Sequence, residues 1–190
     1  MKKEFIITTY SENHIGLTNR ITIIFTRRQV NIESLTGSES ALPGIHKITI
    51  VVNEEEEKVQ NIVKQIDKLV DVLKAFYHTN EEMIYQEIAL YKVLTKSLME
   101  SDEIEKLIRS HNARILEITP EYTVIEKTGH KEETQELFRG LNKFGVLQFI
   151  RSGRIAITRS PIEKLSEFLN ERDALLEKIE SRGKLRTAKK

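Results

Sequence analysis

The sequence has no cysteine, only three prolines and eight glycines in 190 residues, and no apolar run that approaches the length of a bilayer span. Without cysteine there are no disulfides, no thiolate metal sites and no Cys nucleophile. With 39% hydrophobic and 31% charged residues, few breakers point to a packed globular chain rather than a disordered one. No stretch comes near the twenty or so apolar residues a spanning helix needs, so no membrane association is expected. The opening MKKEFIITTYSEN carries a basic pair, but its apolar stretch is too short for a signal peptide and no small-residue cleavage site follows. A cytoplasmic location is the simplest expectation. The formal net charge is +1, which gives the whole chain no strong pull toward nucleic acid or anionic membrane.

Motifs that carry chemistry are also missing. There is no G-x-S-x-G, no G-x-x-x-x-G-K and no Rossmann glycine pattern. The five histidines, at positions 14, 46, 78, 111 and 130, form no i, i+4 pair and no metal-ligand spacing, so they are expected on the surface or in turns. The Glu run at 54–57 suits the positive end of a helix and is expected to be solvated. No catalytic residue and no cofactor or metal site is expected in this chain.

What is present is one pattern, used twice. FIITTY (5–10) is short and rich in β-formers, a strand. Leu17, Ile21, Ile24 and Phe25 recur at helical spacing and predict a helix over 17–28. NIESLTGSE (31–39) reads as a second strand, and ALPG (41–44) as a turn. In IHKITIVVN, Ile48, Ile50 and Val52 share one face of a third strand. Val59, Ile62, Val63, Ile66 and Leu69 form the buried stripe of a second helix, and VDVLKAFYH (70–78) closes the unit with a fourth strand. After TNEEM (79–83) the order repeats: strand QEIALYKVLT, a helix near 101–110, strands ARILEIT and YTVIEKT about Pro120-Glu121, a helix near 131–143, and VLQFIRSGRIAITR as a strand interrupted at Ser152-Gly153, where a bulge is expected. Two β-α-β-β-α-β units give an α+β chain of two ferredoxin-like domains, 1–79 and 80–159. Ser160-Pro161-Ile162-Glu163 has the chemistry of a helix start, and predicts a helix over 161 to about 181 within an extension covering 160–190 that ends in a basic tail.

Two loops near the N-terminus are the candidates for function. In ENHIGLTNR, Asn13 offers an amide that donates and accepts, Gly16 lets a ligand approach the backbone, and Ile15 offers an apolar wall. The N–H groups of Gly16 and Leu17 open a helix and can take a carboxylate. An amino acid needs such a set, but the same residues also serve a plain strand-to-helix turn with Asn near the cap. An RNA-recognition domain shares the ferredoxin-like order, yet requires aromatics and basic residues on the sheet face, and IHKITIVVN has no aromatic.

ENHIGLTNRITIIFTRRQVNIESLTGSES resembles the opening of an ACT domain, with its Asn-x-x-Gly loop before the first helix. FTRRQVNIESL (25–35), KLVDVLK (68–74), EIALYKV and the ITPEYTVIEKTG hairpin together resemble the small regulatory subunits of acetolactate synthase, or acetohydroxyacid synthase, from residue 4 to about 159. The resemblance implies a non-catalytic subunit of branched-chain amino acid biosynthesis. It would activate a large catalytic subunit that holds thiamine diphosphate, magnesium and FAD, and would confer feedback inhibition by valine, leucine or isoleucine. It also implies ACT domains paired in a homodimer, with effector held between Asn13, His14, Ile15, Gly16, Leu17 and Thr18 of one chain and Asn31 and Ile32 of the other. The alternative readings are an amino-acid-sensing ACT protein with another client enzyme, or an RNA-binding protein. Departures from the family are Ile15, where Pro or a small polar residue is common, Thr18 in place of Leu, and Gln29 in place of Gly. A glycine at 29 suits left-handed backbone after a helix, so Gln29 must adopt that geometry at a cost of roughly 1 kcal/mol or end the helix differently.

Overall fold

The computed structural model describes residues 1–100, 102–162 and 164–171. The first repeat runs β1 (Lys3–Glu12), α1 (Leu17–Arg27), β2 (Ser34–Glu39), β3 (Ile45–Glu54), α2 (Glu56–Ile66) and β4 (Val72–Thr79). Its strands form an antiparallel sheet in the order β2-β3-β1-β4, the arrangement expected of a ferredoxin-like unit. The alternation seen in the sequence sets the register: Phe5, Ile7, Ile48, Ile50, Val52 and Ala75 point to one face and meet Leu17, Ile21, Phe25, Val59, Ile62 and Ile66 from the two helices. Fully burying each such aliphatic side chain contributes roughly 1.5–3 kcal/mol, which is what seats α1 and α2 on the sheet.

A 3-10 turn (Asn80–Glu82) leads into the second repeat: β5 (Met83–Leu94), α3 (Thr95–Glu100), α4 (Asp102–Ser110), β6 (Arg114–Ile118), β7 (Tyr122–Gly129), α5 (Lys131–Asn142), β8 (Val146–Arg151) and β9 (Ile155–Thr158). The order β6-β7-β5-β8 repeats the first topology, and Ala89, Tyr91, Val93, Ile104, Ile125, Leu137 and Leu141 form a second core.

Several expectations shift. NIESL does not start as strand: β2 begins only at Ser34, and Asn31-Ile32 form its lead-in. The helix expected near 101–110 is preceded by α3, which the mixed sequence TKSLME does not announce. VLQFIRSGRIAITR is two strands rather than one bulged strand, with β8 paired to Ala89–Val93 and β9 to Met83–Gln86 of the long β5. Residues 164–171 are helical, so the last helix starts later than position 161, although Ser160 Oγ accepts the Ile162 N–H as a capping side chain would. The remainder of the predicted helix and the basic tail lie outside the described residues. Glu54 is not solvated: it ends β3 with 4% exposure and pairs with Lys2 and Lys58, each 3.1 Å away. His78, expected at the surface, is 3% exposed.

The helix ends explain how the chain turns back into β2 and β6. Gln29 has φ 54, with its N–H on Thr26 O and the Val30 N–H on Phe25 O, both at 3.0 Å. This is a Schellman closure, sealed by Val30 packing in the same core as Phe25. Asn112 repeats it after α4, with φ 49 and the Ala113 N–H on Ile108 O.

The two repeats pack on each other. The face of the first sheet away from its helices carries Ile6 and Val51, and Met83, Tyr85 and Ala156 of the β5–β9 ribbon cover them. Lys47 Nζ donates to the Ala156 carbonyl at 2.8 Å across the same contact. Among the described residues no helix is long and apolar enough to cross a membrane, and no group of acidic and histidine residues could hold a metal.

Candidate functional site

The Asn13–Thr18 loop leaves β1 and opens α1 through Gly16, whose φ of 82 and ψ of −2 is left-handed. A β-carbon added at Gly16 would have nothing within 4 Å, so glycine is favoured by the backbone conformation and not by crowding within the chain. No side chain caps the helix, and where α2, α4 and α5 carry acidic residues in their first turns, α1 carries none. The first intrahelical bond is Arg20 N–H to Gly16 O at 3.0 Å. Ahead of it the Thr18 and Asn19 N–H groups point off the helix end, where its partial positive charge is concentrated.

Two expected roles change. The Leu17 N–H donates to His14 O at 3.2 Å, so it is already used in the turn, and the Leu17 side chain is 3% exposed in the core. Leu17 therefore anchors the loop and does not wall it. Ile32 likewise packs partly against the core. Asn13, His14, Thr18 and Asn31 are exposed, and Ile15 projects fully into solvent at 105%. Asn31 Nδ2 donates to Glu33 Oε1 at 3.1 Å, so its side chain is engaged within its own segment.

The loop is held by groups that no local motif singles out. Asp71, just before β4, accepts from His14 Nδ1 at 2.8 Å and pairs closely with Arg20, while its own carbonyl accepts the Glu12 N–H. The His14 hydrogen bond, with Arg20 second, holds the Asp71 carboxyl below the usual carboxylate range. Nothing in LVDVLK marks Asp71, because its partners come from about fifty residues upstream; only the register of β1 beside β4 joins them.

Asn13–Thr18 and Asn31-Ile32 are not brought together within one chain. They sit at opposite ends of α1, whose 11 residues span about 16 Å at 1.5 Å per residue.

Comparison with known proteins gives the family. Residues 7–74 match the profile described as AHAS small subunit-like ACT domain, and residues 86–160 match that of the small subunit of acetolactate synthase. The chain is 34% identical over 162 residues to the acetolactate synthase small subunit of Bacillus subtilis, covering 85% of this chain and 94% of that one. It is 32% identical to the probable acetolactate synthase small subunit of Methanothermobacter thermautotrophicus, covering 81% and 92%. The crystal structure of the acetolactate synthase small subunit from Thermotoga maritima superposes with a TM-score of 0.76 at 28% identity, covering 84% of this chain and 99% of that one. With both repeats accounted for in order, the chain belongs to the acetolactate synthase small-subunit family.

Proposed function

We propose that this chain is the regulatory subunit of an acetolactate synthase. In this reading it associates with the large catalytic subunit, raises its activity, and makes it sensitive to a branched-chain amino acid. The decarboxylation and carbon–carbon bond chemistry belong to that partner, with its thiamine diphosphate, magnesium and FAD.

The observation that carries the reading is the pair of loops at the two ends of α1 on a sheet whose β2 edge has no further strand among the described residues. An edge strand is satisfied by a second copy of itself through a two-fold axis. That axis would set two α1 helices antiparallel, with the start of one beside the end of the other. The 16 Å or so that separates the loops within a chain then brings Asn13–Thr18 of one protomer toward Asn31-Ile32 of its partner. The Thr18 and Asn19 N–H groups would take the effector carboxylate. The Asn13 amide and the carbonyls at Asn31 and Ile32 would take the ammonium, and Ile15 would cover the aliphatic side chain.

The test is calorimetric titration with valine, leucine and isoleucine, beside sedimentation of the same sample and reconstitution with the catalytic subunit. Binding of one of the three with a stoichiometry tied to the dimer is expected. A monomer at micromolar concentration, or no heat with any of the three, would defeat the interface pocket. Co-purification with a different enzyme would favour an amino-acid sensor with another client.

A further inference from the structure

The segment that joins β8 to β9 crosses the edge strand of the other sheet at contact distance. A β-carbon at Gly153 would stand 2.1 Å from Thr36 Oγ1, 3.1 Å from Ser34 Oγ and 3.2 Å from the Leu35 carbonyl oxygen. The first of these is closer than any β-carbon tolerates, and the last is backbone, so the crossing as built admits only glycine.

The next residue fastens it. Arg154 is 4% exposed, and its backbone N–H donates to Ser34 Oγ at 3.1 Å. Its Nη1 donates to Glu4 Oε1 at 2.8 Å and to Asn80 Oδ1 at 3.2 Å. Its Nε lies 3.5 Å from Glu87 Oε1, and its guanidinium sits 3.8 Å from the centre of the Tyr85 ring. One residue thus touches β1, β2, the connecting turn and β5. Glu87, buried at 5%, is also paired with Arg151 at 2.9 Å, so the charges at the joint are matched.

β2 is also the strand that leads directly from Asn31-Ile32. Glu33 is tied to Val51 O at 2.9 Å, and Ser34 and Thr36 lie one and three residues further along. A cleft of about 340 Å³ flanks the joint, with Thr36, Thr49 and Lys47 on one wall and Tyr85 and Ala156 on the other. The β5–β9 ribbon therefore has space beside the joint but none at it.

We propose that the Gly153-Arg154 joint carries occupancy of the effector loops to the second sheet, with Arg154 as a positioning residue. This rests on the regulatory reading above. A displacement of β2 toward the crossing when ligand binds at Asn31-Ile32 must move the backbone at Gly153, because no gap exists at its contact with Ser34, Leu35 and Thr36. β8 and β9 flank that backbone and both pair with β5, so the second sheet follows as a body.

The test uses full-length chains reconstituted with the catalytic subunit and compares wild type with Gly153→Ala, Arg154→Met, Arg154→Lys and Ser34→Ala. Effector affinity is read by calorimetry on the regulatory chain, activation without effector by acetolactate formation, and coupling by the residual activity at saturating effector. Gly153→Ala and Arg154→Met should hold affinity within about threefold and retain activation, yet raise the residual activity at saturation by about threefold or more. Arg154→Lys should restore part of the inhibition through its charge. A wild-type chain that binds none of the three amino acids removes the regulatory reading and the joint together. A wild type that responds, with folded variants that keep the full inhibition plateau, overturns the joint alone. Should the first two variants fail to fold, Ser34→Ala, which loses one hydrogen bond and leaves the packing, decides by the same plateau.

Discussion

Replacing Gly16 with Asp should abolish effector inhibition while activation of the catalytic subunit persists. The chain itself has room for the change, since an added β-carbon at Gly16 meets nothing within 4 Å. Its backbone cost comes only from φ 82, roughly 1 kcal/mol for an ordinary L residue and less for Asp, whose short polar side chain suits left-handed backbone. Part of that cost is returned, because α1 has no side-chain cap and the introduced carboxylate could accept from the Thr18 or Asn19 N–H. Folding is thus nearly indifferent to the substitution. The effector is not. It would meet a carboxylate where its own should sit, and would lose the donors to it. One charge-assisted hydrogen bond is worth about 1.5–3 kcal/mol, or roughly ten- to a hundredfold in affinity, before repulsion is added. Gly16→Ala separates strain from charge: it keeps the backbone cost and leaves the donors available, so its inhibition curve should move less. Asn13→Ala should weaken binding modestly, since it removes an amide and adds nothing. The assay is acetolactate formation by the reconstituted pair across an effector titration, with circular dichroism of each variant. If Gly16→Asp stays folded and its curve superposes on wild type, the loop is only a turn and the helix terminus binds nothing.

Three other outcomes follow from the fold. Gln29→Gly should raise the melting temperature by about 1–3 °C, because relief of roughly 1 kcal/mol of left-handed strain is offset only in part by the freer unfolded chain; an unchanged or lower melting temperature would show that Gln29 adopts φ 54 without cost. Burial, with Lys164 second, pushes the His78 imidazole below its ordinary value of 6.5. The folded state then binds the proton less well than the unfolded chain, so stability is full above about pH 6.5 and falls as pH drops through the folded value. Proton NMR should find His78 titrating below its ordinary value, and a normal titration would refute its desolvation. Tyr91→Phe should cost about 1 kcal/mol in chemical denaturation, since the buried hydroxyl donates to Thr134 O at 2.7 Å, a carbonyl that keeps its own intrahelical bond within α5 when the hydroxyl is removed.

Much of the fold is legible because period and turn chemistry agree in each repeat. Ile48, Ile50 and Val52 share one face as the period of a strand requires, and Val59, Ile62, Val63 and Ile66 recur as a helix stripe should; all seven are buried in one core. The resemblance marks position 29 as one where relatives often have Gly and leaves two ways for Gln29 to end the helix; it takes the left-handed one, with φ 54. Features that depend on distant register are not legible. Asp71 becomes the anchor of the Asn13–Thr18 loop only where β1 and β4 lie side by side, and Glu54 becomes a buried ion-pair partner only once β1 pairs with β3 and brings Lys2, the residue just ahead of β1, within reach. Asn13 and Gly16 mark the loop by their chemistry; the Leu17 side chain goes to the core as its helical spacing indicates, while its N–H, expected to face a ligand, is used by His14 O in the turn.

Another signal in the sequence changes how the halves relate. Phe5-Ile6-Ile7 and Ile50-Val51-Val52 are unbroken apolar triplets, whereas a sheet with one wet face alternates. Continuous runs mark strands covered on both sides, and Ile6 and Val51, at 0% and 2% exposure, are the residues the β5–β9 ribbon covers. The second sheet has a run of the same kind, Ile88-Ala89-Leu90-Tyr91, but no cover of the same kind: Ile88, Leu94 and Ile150 are exposed on the face away from its helices. The two repeats share topology but not independence. Removing the second would strip an apolar face from the first, so a fragment ending near residue 79 would keep the loop and the helix terminus while gaining an adhesive sheet surface. Loss of regulation in such a fragment could then come from a blocked or misassembled first sheet as readily as from a missing signal. Arg154→Met and Ser34→Ala, which remove no residue that covers Ile6 and Val51, separate those two causes where truncation cannot.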